Sequence, residues 1–558
     1  MTKLNHVTGI THIRNAGRMV HKAGMLTMLI IFVWSSSVSA QPEGLTHYGQ
    51  IAWEESAVPV RPGLPGKIPF WNGSAKRFIY APAFDFQKAE GAVSYRFEIV
   101  SKSGGEVYRF ESKMPWAPLT PVWKELPVGQ YTLKVTGLSK SSDILGPAGE
   151  RAFYRAAPFN GIYHEPVLPY AESAMVALGH LMNEDYTGYW LKHQSPDPDY
   201  LNYRFPAKIY SALVIGAVTH ARLVPGTSEA EKSTRLARIV ADFMLSIRFP
   251  SGTAWEYFVP TYYSGHTFIH NGKNNHMDPV NNFTTMGVDA GNAFLDLFDL
   301  TREEKYLDAA VKIAQTYLKN QMENGSWYQF VHHVTNKPVA ENIAIPTAMM
   351  NYFDRLRLNY QIPGLEAATQ KALKFILDNP VKTFDWQGQF EDVYARPPYK
   401  NLSREQACEL AVYLLNNSRK NRDHVKLAEE LIRFSEDQFV IWEQPVPLKN
   451  DSKGPGWNSA NWITPCVQEQ YVFWQPVNRS AGIMLETFWR AYEVTKNEMY
   501  LAKARSIANA ITVLQEAHDG RYPTFSTAYQ RALWLNSTVY PARVMMNLHD
   551  HLNRLGLQ

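Results

Sequence analysis

The sequence predicts a mainly α-helical protein, an (α/α)6 toroid preceded by a small β-sandwich domain. Three observations support this fold class. Residues 78–154 alternate apolar and polar side chains, twelve later stretches have the apolar spacing of amphipathic helices, and the connections between those stretches are alternately short and long. Hairpins closed into a ring would bring all the long connections to one end, where loops form a binding cleft.

The first 40 of the 558 residues are typical of an export signal. Lys3, Arg14, Arg18 and Lys22 precede the apolar run GMLTMLIIFVW, and Ala40 ends a small-residue cleavage site. We expect cleavage after Ala40, a periplasmic or secreted protein, and no membrane contact afterwards. Because the signal holds four cations and no acidic residue, its loss takes the net charge of +4 to about zero. This balance argues against general nucleic-acid binding.

Residues 41–157 are expected to form an irregular lead-in and the β-sandwich. The stretches YRFEIV, EVYRFES and YTLKVTGL have the two-residue period of strands. The stretch LPVGQYTLKV resembles the late hairpin strands of a fibronectin type III-like domain.

Residues 158–558 are expected to form the toroid, which we interpret as the catalytic domain. The predicted helices lie near 169–184, 205–222, 228–247, 283–300, 303–320, 343–357, 364–378, 403–416, 422–438, 479–495, 499–516 and 535–553.

Two of these helices share an openly repeated pattern. YLDAAVKIAQTYLKNQMENGSWY at 306–328 parallels YLAKARSIANAITVLQEAHDGRYP at 500–523, with equal spacing from Tyr to Gln. Such a repeat indicates stacked helical hairpins, so the exit from Gln through Gly to an aromatic residue is expected to be architectural. The pair His332 and His333 is absent from the second copy and is left unexplained by architecture.

The long connections are rich in side chains that bind sugars. Flat aromatic rings stack on pyranose faces, amides and carboxylates bond hydroxyl groups, and arginine forks onto carboxylates or sulfates. The alternatives are core packing for the tryptophans and pairing with rim acids for the arginines. The candidate substrate-binding residues are Arg204, Trp327, Tyr394, Arg396, Trp457, Trp462, Glu469, Arg521 and Arg531.

Histidine and tyrosine on the same connections favour elimination from a uronic acid. That reaction needs a base for the C5 proton and a donor for the leaving oxygen. The candidate catalytic residues are His332, His333, Tyr262, Tyr263 and His266. If the stretch QFVHH is extended, neighbouring histidines point to opposite faces and only one faces the cleft. Packing tyrosines and backbone-bonded histidines are the alternative.

The exported layout and the repeat YL..A..IA....Q...G.W/Y resemble the uronate-active toroid enzymes of polysaccharide-degrading bacteria. These include polysaccharide lyases, glucuronyl C5-epimerases and unsaturated-uronyl hydrolases. The layout is also similar to that of oligosaccharide dehydratases from ulvan-degrading marine bacteria. The resemblance implies a fold and a substrate class, and no catalytic residue is carried over from it.

We therefore predict a carbon–oxygen lyase or dehydratase that acts by β-elimination on uronic-acid-containing oligosaccharides, such as ulvan fragments. One alternative is a glycoside hydrolase that uses two carboxylates, with Glu256, Glu341, Glu391, Asp392 and Glu469 as candidates. Another is a non-catalytic glycan-binding protein. No cofactor is expected, although HTFIHNGKNNHMD has the residue types of a divalent-cation site.

Overall fold

The computed structural model describes residues 44–61, 71–263, 269–270, 273–274, 280–339, 342–391, 396–418, 421–446, 458–529 and 533–557. The expected export signal lies outside these residues. The described residues all belong to one compact unit. No helix in the described part of the chain is both long and apolar enough to cross a bilayer.

Helices dominate the described residues. They are α1 His47–Ser56, α2 Thr120–Trp123, α3 Tyr170–Leu181, α4 Asp185–His193, α5 Ser211–Leu223, α6 Ser228–Ser246, α7 Gly287–Thr301, α8 Glu304–Asn320, α9 Thr347–Tyr360, α10 Leu365–Asp378, α11 Pro380–Thr383, α12 Glu405–Asn416, α13 Asp423–Phe439, α14 Asn478–Thr495, α15 Glu498–Glu516 and α16 Leu535–Leu555. The strands are β1 Arg77–Phe78, β2 Ser94–Ser101, β3 Val107–Ser112, β4 Gly129–Leu138, β5 Ile144–Arg155, β6 Ile269–His270, β7 Lys273–Asn274, β8 Asn281–Phe283, β9 Phe330–His332, β10 Val440–Ile441 and β11 Cys466–Val467.

Twelve of the described helices form a closed double ring, in agreement with the mainly helical toroid that the sequence predicts. The inner ring runs α5, α7, α9, α12, α14 and α16, and α16 packs back against α5. The outer helices α6, α8, α10, α13 and α15 each pack on the preceding inner helix, and α3 packs on α16. Each of the twelve overlaps one of the predicted helices.

The connections fix the polarity of the ring. Residues 224–227, 302–303, 361–364, 417–422 and 496–497 are short and leave the C-terminal ends of inner helices. The long connections 182–210, 247–286, 321–346, 379–404, 440–477 and 517–534 all lead into the N-terminal ends of inner helices. We call that end of the ring the rim and the opposite end the turn side.

The repeated exit from an outer helix is held by the same bond in both copies. The Gln321 side-chain amide donates to the Gly325 carbonyl at 2.9 Å, and Gln515 donates to Gly520 at 2.8 Å. Both glycines have a positive φ, and a Cβ on Gly325 would lie 2.2 Å from the Lys371 carbonyl oxygen. This exit therefore serves the architecture, as the repeat predicts.

The N-terminal β region forms one five-stranded sheet in the order β1-β5-β4-β2-β3. Residues 71–157 are all described and contain no second sheet, so the sandwich part of the prediction is not confirmed. The short helices α1 and α2 cover the buried face instead, and the Arg155 guanidinium lies 4.8 Å from the Trp53 ring and 4.7 Å from that of Trp123. Helix α1 also replaces part of the expected irregular lead-in, since the Thr46 hydroxyl caps it by accepting from the Gly49 amide.

The sheet is joined to the toroid through buried polar groups of α13. The Asp437 carboxylate accepts from the amides of Ile79 and Tyr80 at 2.6 and 2.8 Å. The neighbouring Glu436 carboxylate accepts from Lys503 at 2.7 Å and from the Tyr80 hydroxyl at 3.2 Å. These bonds connect the sheet to two outer helices, α13 and α15.

Candidate active site in the axial cavity

A cavity of about 520 Å³ follows the axis of the inner ring. All six inner helices contribute to its wall, together with residues of the long connections that precede them. The half of the cavity nearer the rim, the rim half, is lined by the first two helical turns of the inner helices. The half nearer the turn side, the turn half, is lined by the later helical turns of the same helices. A concave site of this size with converging polar groups is where a ligand site is expected.

An ion pair between two inner helices lies in the rim half. The Arg479 guanidinium on α14 is 2.7 Å from the Glu405 carboxylate on α12, and their side chains are 24% and 13% exposed. Burial alone would raise the pKa of Glu405, but the charge and hydrogen bond of Arg479 and the charge of Arg404 hold it below its usual value. Glu405 is therefore ionised at neutral pH.

Asp289, in the first turn of α7, faces the same half of the cavity. No described residue makes a hydrogen bond or ion pair with its side chain. Burial, reinforced by the negative charges of Glu405 and Glu391, raises the pKa of Asp289 to about 7, although Arg479 and Lys208 act in the opposite direction. Near neutral pH, Asp289 is therefore protonated in about half of the molecules. No described residue accepts a hydrogen bond from that proton.

Glu409 lies one helical turn beyond Glu405 on the same face of α12. It accepts a hydrogen bond from the Thr347 hydroxyl. Burial and the charge of Glu405 raise the pKa of Glu409 to about 7. The rim half therefore holds Glu405, which is ionised at neutral pH, beside two acidic groups, Asp289 and Glu409, whose pKa values are about 7.

A second ion pair borders the rim. Lys208, in the π-helical turn before α5, lies 2.5 Å from the buried Glu391 carboxylate. The hydroxyl of Tyr262 donates to the Glu391 backbone carbonyl at 2.8 Å. Tyr262 is thus placed behind Glu391, where it supports a residue of the cavity wall.

The buried polar groups of the wall that lack a hydrogen-bond partner among the described residues include three on residues that are almost fully buried. They are the hydroxyls of Ser211 and Ser537 and the side-chain carbonyl of Gln406, on three residues that are at most 7% exposed. Buried polar groups in native proteins are almost always hydrogen-bonded. Water or the hydroxyl groups of a ligand in the cavity would supply the missing partners.

The predicted histidines lie outside this wall. The His333 ring stacks on Phe249 with centroids 3.9 Å apart, and its Nδ1 donates to the Val280 carbonyl at 2.7 Å. Burial, together with the charge of His332, lowers the pKa of His333. His332 Nδ1 accepts from the Val334 amide at 3.2 Å.

The predicted tryptophans that the structure describes are core residues. Trp327 is fully buried and donates from Nε1 to the Tyr317 carbonyl at 2.9 Å. Trp462 packs with Ile441 and Cys466 and is 5% exposed. Neither offers a free ring face to a sugar in this arrangement.

The remaining described candidates are spread around the rim. Tyr263 donates its backbone amide to the Arg204 carbonyl at 2.9 Å, and both residues are half-buried. Arg396 is exposed, and Arg521 pairs with Glu184 at 3.1 Å. Of the predicted catalytic and substrate-binding residues, the described cavity wall includes Glu469, and it also includes Glu391 from the carboxylates of the hydrolase alternative.

Several predicted residues cannot be placed against this wall. His266, Tyr394, Trp457 and Arg531 lie outside the described residues, as does most of the stretch HTFIHNGKNNHMD. In the described part of the chain, no group of three His, Cys, Asp or Glu side chains is arranged to hold a metal ion.

The sequence contained one signal for the acids that the prediction missed. In EQACELAVYLL, Glu405 and Glu409 are four positions apart in a mainly apolar helix, so they share one face of it. Asp289 is likewise an acid at the start of the apolar helix GVDAGNAFLDLF. Paired acids on a helix with this much apolar surface indicate a polar cavity inside the ring, whereas the prediction considered only loop residues.

Comparison with known proteins gives only distant structural likenesses. No family model matches the sequence, and no curated protein matches it. A family 76 glycoside hydrolase from a bovine Bacteroides thetaiotaomicron strain is 10% identical, over 84% of this chain and 95% of that one, with a TM-score of 0.45.

Two further solved structures are similar at the same level. The cellobiose 2-epimerase of Spirochaeta thermophila is 13% identical over 69% of this chain and 98% of its own, with a TM-score of 0.46. An unsaturated glucuronyl hydrolase specific for heparin is 9% identical over 70% and 98%, with a TM-score of 0.41.

Proposed function

We propose that this chain is an exported glycoside hydrolase whose active site is the rim half of the axial cavity. Asp289 is the general acid, and Glu405 is the carboxylate that activates water or attacks the anomeric carbon. One observation carries the proposal: the cavity holds two acids whose surroundings shift their pKa values in opposite directions. Such a pair is what acid–base cleavage of a glycosidic bond requires.

The bond changes balance with water alone. Asp289 gives its proton to the glycosidic oxygen as the bond from that oxygen to the anomeric carbon breaks. Water supplies the hydroxyl group to the anomeric carbon, and its remaining proton returns to a carboxylate of the site. Arg479 holds Glu405 in its ionised form before the glycosidic bond breaks, so that a negative carboxylate faces the oxocarbenium-like transition state and can then accept the proton of water or bond to the anomeric carbon.

The cavity wall also offers groups suited to a sugar. Trp534 and Phe390 line the rim half and can contribute ring surface, while Ser211, Gln406 and Ser537 offer unsatisfied polar atoms. This combination of aromatic surface and polar groups supports an oligosaccharide as the substrate.

Elimination from a uronic acid remains a prediction, and the described cavity gives it less support. Tyr540, a tyrosine of the wall, donates to Glu486 at 2.5 Å. Burial and the charge of Glu486 raise the pKa of Tyr540 well above its usual value, which makes it a poor base at neutral pH. His332 and His333 are absent from the described wall.

The products of digestion test the proposal. The protein without residues 1–40 would be incubated with neutral and acidic oligosaccharides, and the products would be weighed by mass spectrometry. Hydrolysis adds one water per bond cleaved and gives no new absorbance in the low ultraviolet. Unsaturated products, or loss of water without cleavage, would contradict hydrolysis, and binding without any product would favour a glycan-binding protein.

Two variants make that experiment specific. D289N and E405Q preserve the size of each side chain and are expected to slow product formation at least about 100-fold while the thermal transition stays cooperative. R521Q, which changes a rim arginine paired with Glu184 outside the cavity wall, is the matched control and should retain activity.

A further inference from the structure

The turn half of the cavity has the opposite charge character to the rim half. Its wall carries Arg355 on α9, Arg490 on α14 and Arg543 on α16. No carboxylate lies among the described wall residues beyond the level of Glu409 and Glu486. A ligand that reaches this end therefore meets guanidinium groups.

The acids that balance these arginines lie behind them, outside the cavity wall. Asp296 is 3% exposed and is shared by Arg355 at 2.6 Å and Arg543 at 3.0 Å. Arg355 also contacts Asp299 at 3.4 Å. Arg490 pairs with Glu493 at 2.7 Å. The arginines are thus held from the outer side.

Two of these arginines retain unused donors. A guanidinium has five N–H groups, and Arg543 and Arg490 each show one hydrogen bond with a described residue. The Nε of Arg490 is buried without a partner among the described residues. The nearby Asn547 side chain, also in the wall, is not hydrogen-bonded by any described residue. Together these groups offer several hydrogen-bond donors to a ligand, and no carboxylate of the described wall lies at this end of the cavity to compete for them.

The two arginines are presented by a fixed helix pair. Tyr540 on α16 donates to Glu486 on α14 at 2.5 Å, which ties the two helices together in the middle of the cavity. Arg543 follows Tyr540 by three residues and Arg490 follows Glu486 by four, so both lie one turn further on the same faces. Arg490 is further positioned by the Trp489 ring, 4.3 Å from its guanidinium carbon.

From this arrangement we propose that Arg490, Arg543 and Asn547 form a site for a singly charged oxyanion, a carboxylate or sulfate ester on the substrate sugar. The planar fork of arginine matches the geometry of both groups. The proposal deepens the proposed function, because it assigns an acidic substituent to the sugar held between the carboxylates and the turn-side end. Arg355, whose nitrogens already contact Asn292, Asp296 and Asp299, supports the site from the third helix.

Binding measured without turnover tests this site separately from hydrolysis. Titration calorimetry at neutral pH and low salt would compare glucuronate with glucose as a matched neutral sugar, and inorganic sulfate as a free anion. We expect glucuronate to bind the unaltered protein at least about tenfold more tightly than glucose. This is the difference in affinity that one charge-assisted hydrogen bond provides. D289N should keep this preference even though it loses hydrolysis.

Variants locate the site. R543Q and R490Q should each reduce the preference for glucuronate at least about tenfold, whereas R543K should retain part of it. Thermal unfolding of each variant shows whether a loss of binding reflects loss of folding. Competition by sulfate at the affinity of glucuronate would assign the site to a free oxyanion, and failure of sulfate to compete would assign it to the acidic sugar.

Two results would overturn the proposal. One is equal binding of glucuronate and glucose by the unaltered protein. The other is a preference that survives in folded R543Q and R490Q but disappears in R479M, which would move the anion to the rim half.

Discussion

Arg479 and Glu405 form the charged centre of the cavity, with 2.7 Å between guanidinium and carboxylate. Removing this cation should raise the pKa of Glu405, whose ionised form the mechanism needs. We therefore expect the acid limb of the kcat/KM profile to move to higher pH in R479M and to a smaller extent in R479K. An acid limb that stays in place in R479M would contradict the role of Glu405, and R521Q should leave the limb unchanged.

The alkaline limb should report on Asp289. Because burial raises the pKa of Asp289 to about 7 and its protonated form is the active one, kcat/KM should fall as pH rises through about 7. Glu409 titrates in the same range and is the matched control. We expect E409Q to keep an alkaline limb and D289N to lose roughly 100- to 10,000-fold in rate. If E409Q instead lost the alkaline limb and the rate, while D289N kept both, Glu409 would be the general acid.

His332, the last residue of β9, and the adjacent His333 should contribute to stability and not to catalysis. We expect H332A and H333A to retain kcat within about threefold, because neither side chain lines the described cavity. H333A loses the stack on Phe249 and the bond to Val280, so its free energy of unfolding should fall by about 1–2 kcal/mol. A loss of rate with normal stability would return these residues to the site and favour elimination.

The buried ion pair of Lys503 and Glu436 should contribute to the free energy of unfolding of the protein. Their side chains are 4% and 1% exposed and lie 2.7 Å apart. K503M leaves Glu436 buried without its cation and should reduce the free energy of unfolding by roughly 3–5 kcal/mol. Denaturant unfolding of K503M beside K374A, which breaks the exposed pair with Asp378, measures the difference. Equal stability of the two variants would refute this expectation.

The sequence predicted the ring well because its signals are local. Apolar spacing located the twelve helices, and connection lengths placed the long loops at one end. The repeat also identified the Gln321 and Gln515 exits as architecture, which the matching bonds to Gly325 and Gly520 explain. These features depend on residues close together in the chain.

The site was harder to predict because it is assembled across helices. The pKa values of Asp289 and Glu405 differ through burial and through Arg479, which is distant in sequence from both. A tryptophan after a helix has the same local pattern whether it faces the cleft or, like Trp327, fills the core. The alternation of apolar and polar residues in the β region likewise predicts strands but does not indicate whether they form one sheet or two.

The dependence of rate on the leaving group tests the assignment of Asp289 most directly. Once the digestion panel identifies the sugar, its aryl glycosides can be compared with its natural glycoside in unaltered protein and D289N. Because an acidic phenol leaves without a proton, D289N should lose less than about tenfold with that substrate and roughly 100- to 10,000-fold with the natural one. An equal loss with both substrates would contradict Asp289 as the general acid.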